Sequence, residues 1–194
     1  MSGSYFDKQT PRWPSFYYNK IIYDLSHLNE YIFLVIDSSA VERKIAVTFS
    51  DHCFTSKNKD DNNSILYSYS SRKPGYFCFK RYSLSLGLKD HILNASEGEV
   101  WLVEGENLAI VPTVDVAGKE VLYGIIFNLK RIKGLPVDLH MRIETAYPCE
   151  LKELTTFGSV RFKHFVTLRM QGKMPNRNLS KHRKKPKLKS KEGK

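Results

Sequence analysis

The sequence predicts an α+β fold, with one or two helices packed on an antiparallel meander of about four or five strands and an N-terminal hairpin at one side. Three observations lead there. Most apolar segments alternate with a period of two and are rich in β-branched and aromatic residues. One segment alone carries a convincing helical stripe. Hydrophobic residues make up 41% of the 194 residues and aromatics 12%, enough for a sizeable core in one domain. The predicted organisation is an arm over 1–20, a domain over 21–170 and a disordered basic tail over 171–194.

In the arm, Pro11 and Pro14 stop regular structure. Phe16, Tyr17 and Tyr18 are placed to fasten it to the domain. Residues 24–28 read as a short turn of helix or a loop. Tyr31–Ile36 and Lys44–Phe49 read as a hairpin around Asp37-Ser38-Ser39-Ala40, and Ile45, Val47 and Phe49 define a buried face. Thr55 to Gly75 is a long polar loop, with Ile65-Leu66-Tyr67 as its apolar contact. Tyr76–Phe79 is extended. A single helix follows, N-capped by Ser83, with Leu84, Leu88, Ile92 and Ala95 on one face and Gly98 at its end. Four strand segments come next: Glu99–Val103, Leu108–Val111, Glu120–Leu129 and Val137–Tyr147. The last strand is expected over Val160–Met170.

The net charge of +11 is concentrated at one end. From Lys173 to Lys194 there are ten Lys or Arg and one acidic residue, a balance of +9, while the other 172 residues hold 21 basic and 19 acidic, or +2. Lys181, Arg183, Lys184, Lys185 and Lys187 suit a polyanion, bound by counterion release. Cys53, Cys78 and Cys149 are odd in number, widely spaced and without a CxxC, so neither a disulfide framework nor a zinc knuckle follows. No apolar run reaches the roughly 18–20 residues of a membrane span, and Met1 to Lys20 lacks a signal-peptide core. A soluble cytoplasmic protein is expected.

Chemistry is expected in three places. Ser50-Asp51-His52-Cys53-Phe54-Thr55 sets an imidazole, a thiol and a hydroxyl where a strand ends. His52 suits acid–base work or a structural hydrogen bond, and Cys53 is the weaker candidate because neighbours on a strand point apart. Arg81, just before the expected helix, suits a phosphate or an acidic neighbour. On the strand to Tyr147, His140, Arg142 and Glu144 share a polar face, which Lys163 and Arg169 of the last expected strand extend. Thr145 and Tyr147 share a face at its end. Such a set performs phosphodiester cleavage without metal or cofactor: one group takes the 2′-hydroxyl proton, another protonates the leaving oxygen, and cations stabilise the phosphorane. The alternative is a solvated sheet face.

His52-Cys53-Phe54-Thr55, Arg81-Tyr82 and Thr145-Ala146-Tyr147, within residues 20–170, resemble features of small uncharacterised bacterial, prophage and plasmid proteins. The order of a helix followed by a β-meander is distantly similar to the barnase–colicin–RelE group of metal-independent ribonucleases, many of them toxins. That resemblance implies a toxin-type endoribonuclease with His52, Arg81, His140, Glu144, Thr145 and Tyr147 as catalytic candidates. Arg142, Lys163, Arg169 and the basic tail would bind RNA, and an antitoxin or immunity protein would neutralise the enzyme. The competing expectation is a non-catalytic nucleic-acid- or ribosome-binding module from a phage or plasmid element.

Overall fold

A computed structural model describes residues 13–57, 65–67, 75–103, 107–114, 117–149 and 156–176. The first strands, β1 (Phe16–Tyr18) and β2 (Ile21–Tyr23), form a hairpin. Asn19 and Lys20 turn the chain with φ of 48° and 64°, the paired positive values of a two-residue turn that matches strand twist. The hairpin fastens onto the body as the aromatic run predicts. Phe16 stacks on Phe77 with ring centroids 4.8 Å apart, and Tyr18 lies 6.2 Å from Phe79. The rest of the expected arm, residues 1–12, and the tail from 177 onward lie outside the described residues.

The expected hairpin is present as β3 (Tyr31–Ile36) and β4 (Glu42–Phe49). Asp37 holds its turn: one carboxylate oxygen accepts from the Ser39 and Val41 N–H groups, and the other accepts from Arg43 Nε at 2.8 Å. Three short strands then form a small sheet, β5 (Thr55–Ser56), β6 (Leu66–Tyr67) and β7 (Gly75–Phe77), in the order β5-β7-β6. The intervening 58–64 and 68–74 of the expected polar loop are outside the described residues. Gly75 is required by close approach, because a Cβ there would lie 2.8 Å from Thr55 Oγ1.

The single expected helix is two. α1 (Phe79–Ser85) and α2 (Leu88–Ser96) are broken at Leu86–Gly87, where Gly87 lies at the N-cap of α2 with φ −90° and ψ 5°. Ser83 is therefore inside α1, donating to the Lys80 carbonyl, and does not cap a helix. The meander follows as β8 (Glu99–Leu102), β9 (Asn107–Val114), β10 (Glu120–Arg131) and β11 (Leu139–Cys149).

The last expected strand is corrected. Only β12 (Ser159–Arg161) is extended, and Phe162–Met170 is a helix, α3. Phe162 and Val166 fit a period of two, but Phe165 is buried with them. The set i, i+3, i+4 is a helical face, and it packs on Phe127 of β10. Lys163 and Arg169 consequently stand on this helix and do not extend the polar face of the sheet.

Among the described residues, the main sheet has seven strands in the order β12-β8-β9-β10-β11-β4-β3. All pairs are antiparallel except β11–β4, which runs parallel from Leu139↔Ile45 to Ile143↔Phe49. The core lies on one face, where Tyr123, Ile125 and Phe127 of β10 and Leu139 and Ile143 of β11 are fully buried. Each such large side chain stabilises by about 1.5–3 kcal/mol. The architecture is thus the expected α+β fold with mostly antiparallel strands. Among the described residues, no helix is long and apolar enough to cross a membrane.

Candidate active site

The Ser50–Thr55 stretch is divided by a 3₁₀ turn over Asp51–Cys53. Ser50 is its N-cap: the hydroxyl accepts from the His52 N–H at 3.2 Å and donates to the Glu144 carbonyl, while Ser50 N donates to the Ile143 carbonyl at 2.9 Å. The turn is thereby fixed to β11. Cys53 and Phe54 point inward and are fully buried, Phe54 edge-on to Trp13 and Tyr67 with ring centroids 5.4 Å and 4.9 Å away. Burial pushes the Cys53 thiol up to about 12, which makes the thiolate inaccessible near neutral pH. Cys53 therefore belongs to the core. His52, half-buried, lines a cleft instead.

That cleft has a volume of about 570 Å³ and is lined by His52, Thr55, Ser56, Lys57, Arg81, Ile126, Glu144, Thr145 and Tyr147. Five of the six catalytic candidates therefore meet in one place. Arg81 joins the walls. Its Nη1 donates to the His52 carbonyl at 2.9 Å and lies 3.4 Å from Thr145 Oγ1, and the guanidinium carbon is 5.7 Å from the centroid of the Tyr147 ring. Thr145 Oγ1 is also 3.4 Å from the His52 carbonyl. These contacts all involve one nitrogen and the face of the guanidinium. A guanidinium carries five N–H donors in a fixed fork, so the geometry leaves donors for an anion in the cleft.

A β-bulge at Glu144 brings Thr145 and Tyr147 to its side of the strand. Across β10 and β11 the register runs Phe127↔Ile143 and then Ile126↔Thr145, so Glu144 is an extra residue on β11. Strict alternation would put Thr145 and Tyr147 on the face opposite His140, Arg142 and Glu144. The bulge resets the alternation: Ile143 and Ala146 are both buried, and Glu144, Thr145 and Tyr147 all face the cleft. The Glu144 carboxylate is oriented from two sides, by Asn128 Nδ2 at 3.3 Å and by Arg142 Nε at 3.1 Å.

His140 stands apart. It shares the outer face of β11 with Glu144 but lies four residues, about 13 Å at ~3.3 Å per strand residue, from it. Its Nε2 is 2.7 Å from the buried Thr48 hydroxyl. Burial lowers its pKa, and Arg142 and Lys130 lower it further against a smaller opposing effect of Glu144.

The RNA-binding candidates divide similarly. Arg142 is exposed beside the cleft and paired to Glu144. Lys163, on α3, pairs with Glu97 at 2.7 Å. Arg169 is engaged with its own neighbourhood, donating from Nε to the Leu129 carbonyl at 2.7 Å and from Nη1 to the Lys173 carbonyl at 3.2 Å. Lys181, Arg183, Lys184, Lys185 and Lys187 lie outside the described residues. Sequence reasoning missed Ser56, Lys57 and Ile126 as cleft residues and Asn128 as the support of Glu144. Lys57, two residues past the motif, was the legible one.

No curated protein and no solved structure matches the chain. The YjaZ family model, in contrast, matches residues 15–169, from the start of the first hairpin to the last turn of α3. On that match, which spans the whole sheet and every cleft residue, the chain belongs to the YjaZ family.

Proposed function

We propose that this protein is a metal-independent endoribonuclease of toxin type and that the cleft between the 3₁₀ turn, α1 and β11 cleaves RNA. The observation that carries the reading is the meeting of an imidazole, a carboxylate and a partly committed guanidinium, His52, Glu144 and Arg81, in one cleft. Glu144 takes the proton of a 2′-hydroxyl, whose oxygen attacks the adjacent phosphorus. His52, as the imidazolium, protonates the departing 5′-oxygen. The products are a 2′,3′-cyclic phosphate and a free 5′-hydroxyl. The remaining donors of Arg81 stabilise the charged phosphorane in a part-buried setting where such bonds are strong. Thr145 and Tyr147 hold Arg81 and position the phosphate.

The basic segment containing Lys181, Arg183, Lys184, Lys185 and Lys187 concentrates RNA near the cleft through counterion release. In this reading the enzyme acts in the cytoplasm and is restrained there by an antitoxin or immunity protein. The test is cleavage of RNA by the pure full-length chain in excess EDTA, beside His52→Ala and Arg81→Ala. The expected result is metal-free cleavage with cyclic-phosphate ends, lost in both variants. Salt-sensitive binding without turnover would point instead to a binding module. Full activity in both variants would remove these residues from the mechanism.

A further inference from the structure

The outer face of the sheet does not end at the cleft. Beyond Glu144 the pairing continues as two cross-strand rows. The nearer is Asn128–Arg142–Thr48 and the farther is Lys130–His140–Ala46, across β10, β11 and β4. Side chains directly opposite on paired strands lie about 5 Å apart, so Lys130 flanks His140 from the side while Arg142 flanks it two residues along the same strand. Lys130 and Arg142 are exposed, and Lys44, two residues before Ala46 on the same face of β4, is exposed as well. The nearby carboxylates are engaged: Glu144 with Arg142 and Asn128, and Asp138 with the Lys44 N–H at 2.8 Å and with Arg43 at 4.0 Å. Ala46 and Thr48, at the β4 end of the two rows, are buried, so the accessible part is formed by Lys130, Arg142 and the half-buried His140. The result is a cationic shelf continuous with the cleft and centred on a histidine.

We infer that Lys130, His140 and Arg142 form a second phosphate subsite, holding the backbone of a single-stranded RNA that runs along β11 away from the scissile bond. The inference rests on the reading of the cleft as an RNA-cleaving site and gives that site its substrate class. The separation of about 13 Å between Glu144 and His140 corresponds to about four stacked nucleotides at the ~3.4 Å rise per nucleotide of one strand, or fewer in an extended strand. Single-stranded RNA is the substrate that fits. In-line attack needs a nucleotide free to leave helical geometry, and a shelf one or two side chains wide follows one backbone, not two. His140 thus acts in binding at a distance from the reacting atoms. Its contact with Thr48 fixes the ring between the two cations.

The test uses the full-length chain and two ligands that lack a free 2′-hydroxyl, a 2′-O-methyl RNA dinucleotide and a decamer of the same chemistry. The His140 ring signal, assigned by its loss in His140→Gln, is followed by NMR. Lys130→Ala is titrated with the decamer over a range of salt. The expected results are a His140 shift with the decamer and none with the dinucleotide, and a log–log salt slope smaller by about 1 in Lys130→Ala. A silent His140 signal with an unchanged slope overturns the subsite. Cleavage of the matching all-ribo decamer is measured alongside. Turnover with a silent His140 rejects the subsite and keeps the ribonuclease. A shifted His140 and a reduced slope without turnover establish the subsite and reject the ribonuclease.

Discussion

At its carboxyl end β11 presents Glu144, Thr145 and Tyr147 to a cleft whose other wall is His52 and Arg81. At its amino end the same strand carries the half-buried His140 and the exposed Arg142 on the outer face of the sheet. Both ends offer a histidine, an arginine and a hydroxyl, and composition alone does not rank them. Two structural devices separate them. The 3₁₀ turn after β4 brings a second wall over the carboxyl end, and the bulge at Glu144 places a carboxylate and a hydroxyl in neighbouring positions on one face. The amino end has neither, so its histidine meets another strand's threonine and two cations. Acid–base chemistry needs converging walls, whereas an open face serves binding.

The strongest way to break this comparison is His52→Gln. General acid–base catalysis contributes about 10²–10⁴-fold, and a loss of that size in kcat on a short RNA is expected. His140→Gln, by contrast, is expected to act on a long RNA through KM. If the two variants exchange these signatures, the assignment of the two ends is wrong. Arg81→Lys comes next. A lysine keeps the charge but cannot reach both the His52 carbonyl and a phosphate with a fixed fork. A loss of about 10²–10³-fold is expected, the scale of one electrostatic donor, and recovery of activity in the lysine variant would show that charge alone suffices. The bulge gives a smaller effect, on stability. Deleting Glu144 leaves Phe127↔Ile143 and Ile126↔Thr145 in uninterrupted register and keeps Ala146 in the core. The expected cost in a urea titration is about 1 kcal/mol, one hydrogen bond's worth. A cost of several kcal/mol would show that the bulge is a folding requirement.

The legible parts of the molecule were those decided locally. The β3–β4 hairpin followed from Ile45, Val47 and Phe49 alternating beside a polar turn, and His52 followed from its place at a strand end. What escaped was decided by distant partners. Phe162 and Val166 are four apart, a spacing that suits a strand face and a helix face equally. Only the burial of Phe165 against Phe127 of β10 resolves it. The bulge leaves no local mark either, since Glu144 is extra only relative to β10. The parallel β11–β4 pairing, which brings Thr48 to His140 and Ser50 to Ile143, joins segments about 90 residues apart.

The smallest expected effect tests the amino end through pH. Burial lowers the pKa of His140, with Arg142 and Lys130 adding to it and Glu144 opposing, and burial likewise lowers His27 and His91 from the ordinary 6.5. A folded-state pKa below the unfolded one means that the unfolded chain binds more protons as the pH falls through 6.5. Stability therefore rises with pH in that window and declines below it. Unfolding midpoints in urea at pH 7.5 and pH 5.5 should show the acid loss, and His140→Gln should show less of it, because one of the three groups no longer titrates. An equal loss in wild type and variant would place the acid sensitivity at His27 and His91. It would then leave His140 as accessible to protonation in the folded protein as in the unfolded chain, contrary to its burial beside Thr48.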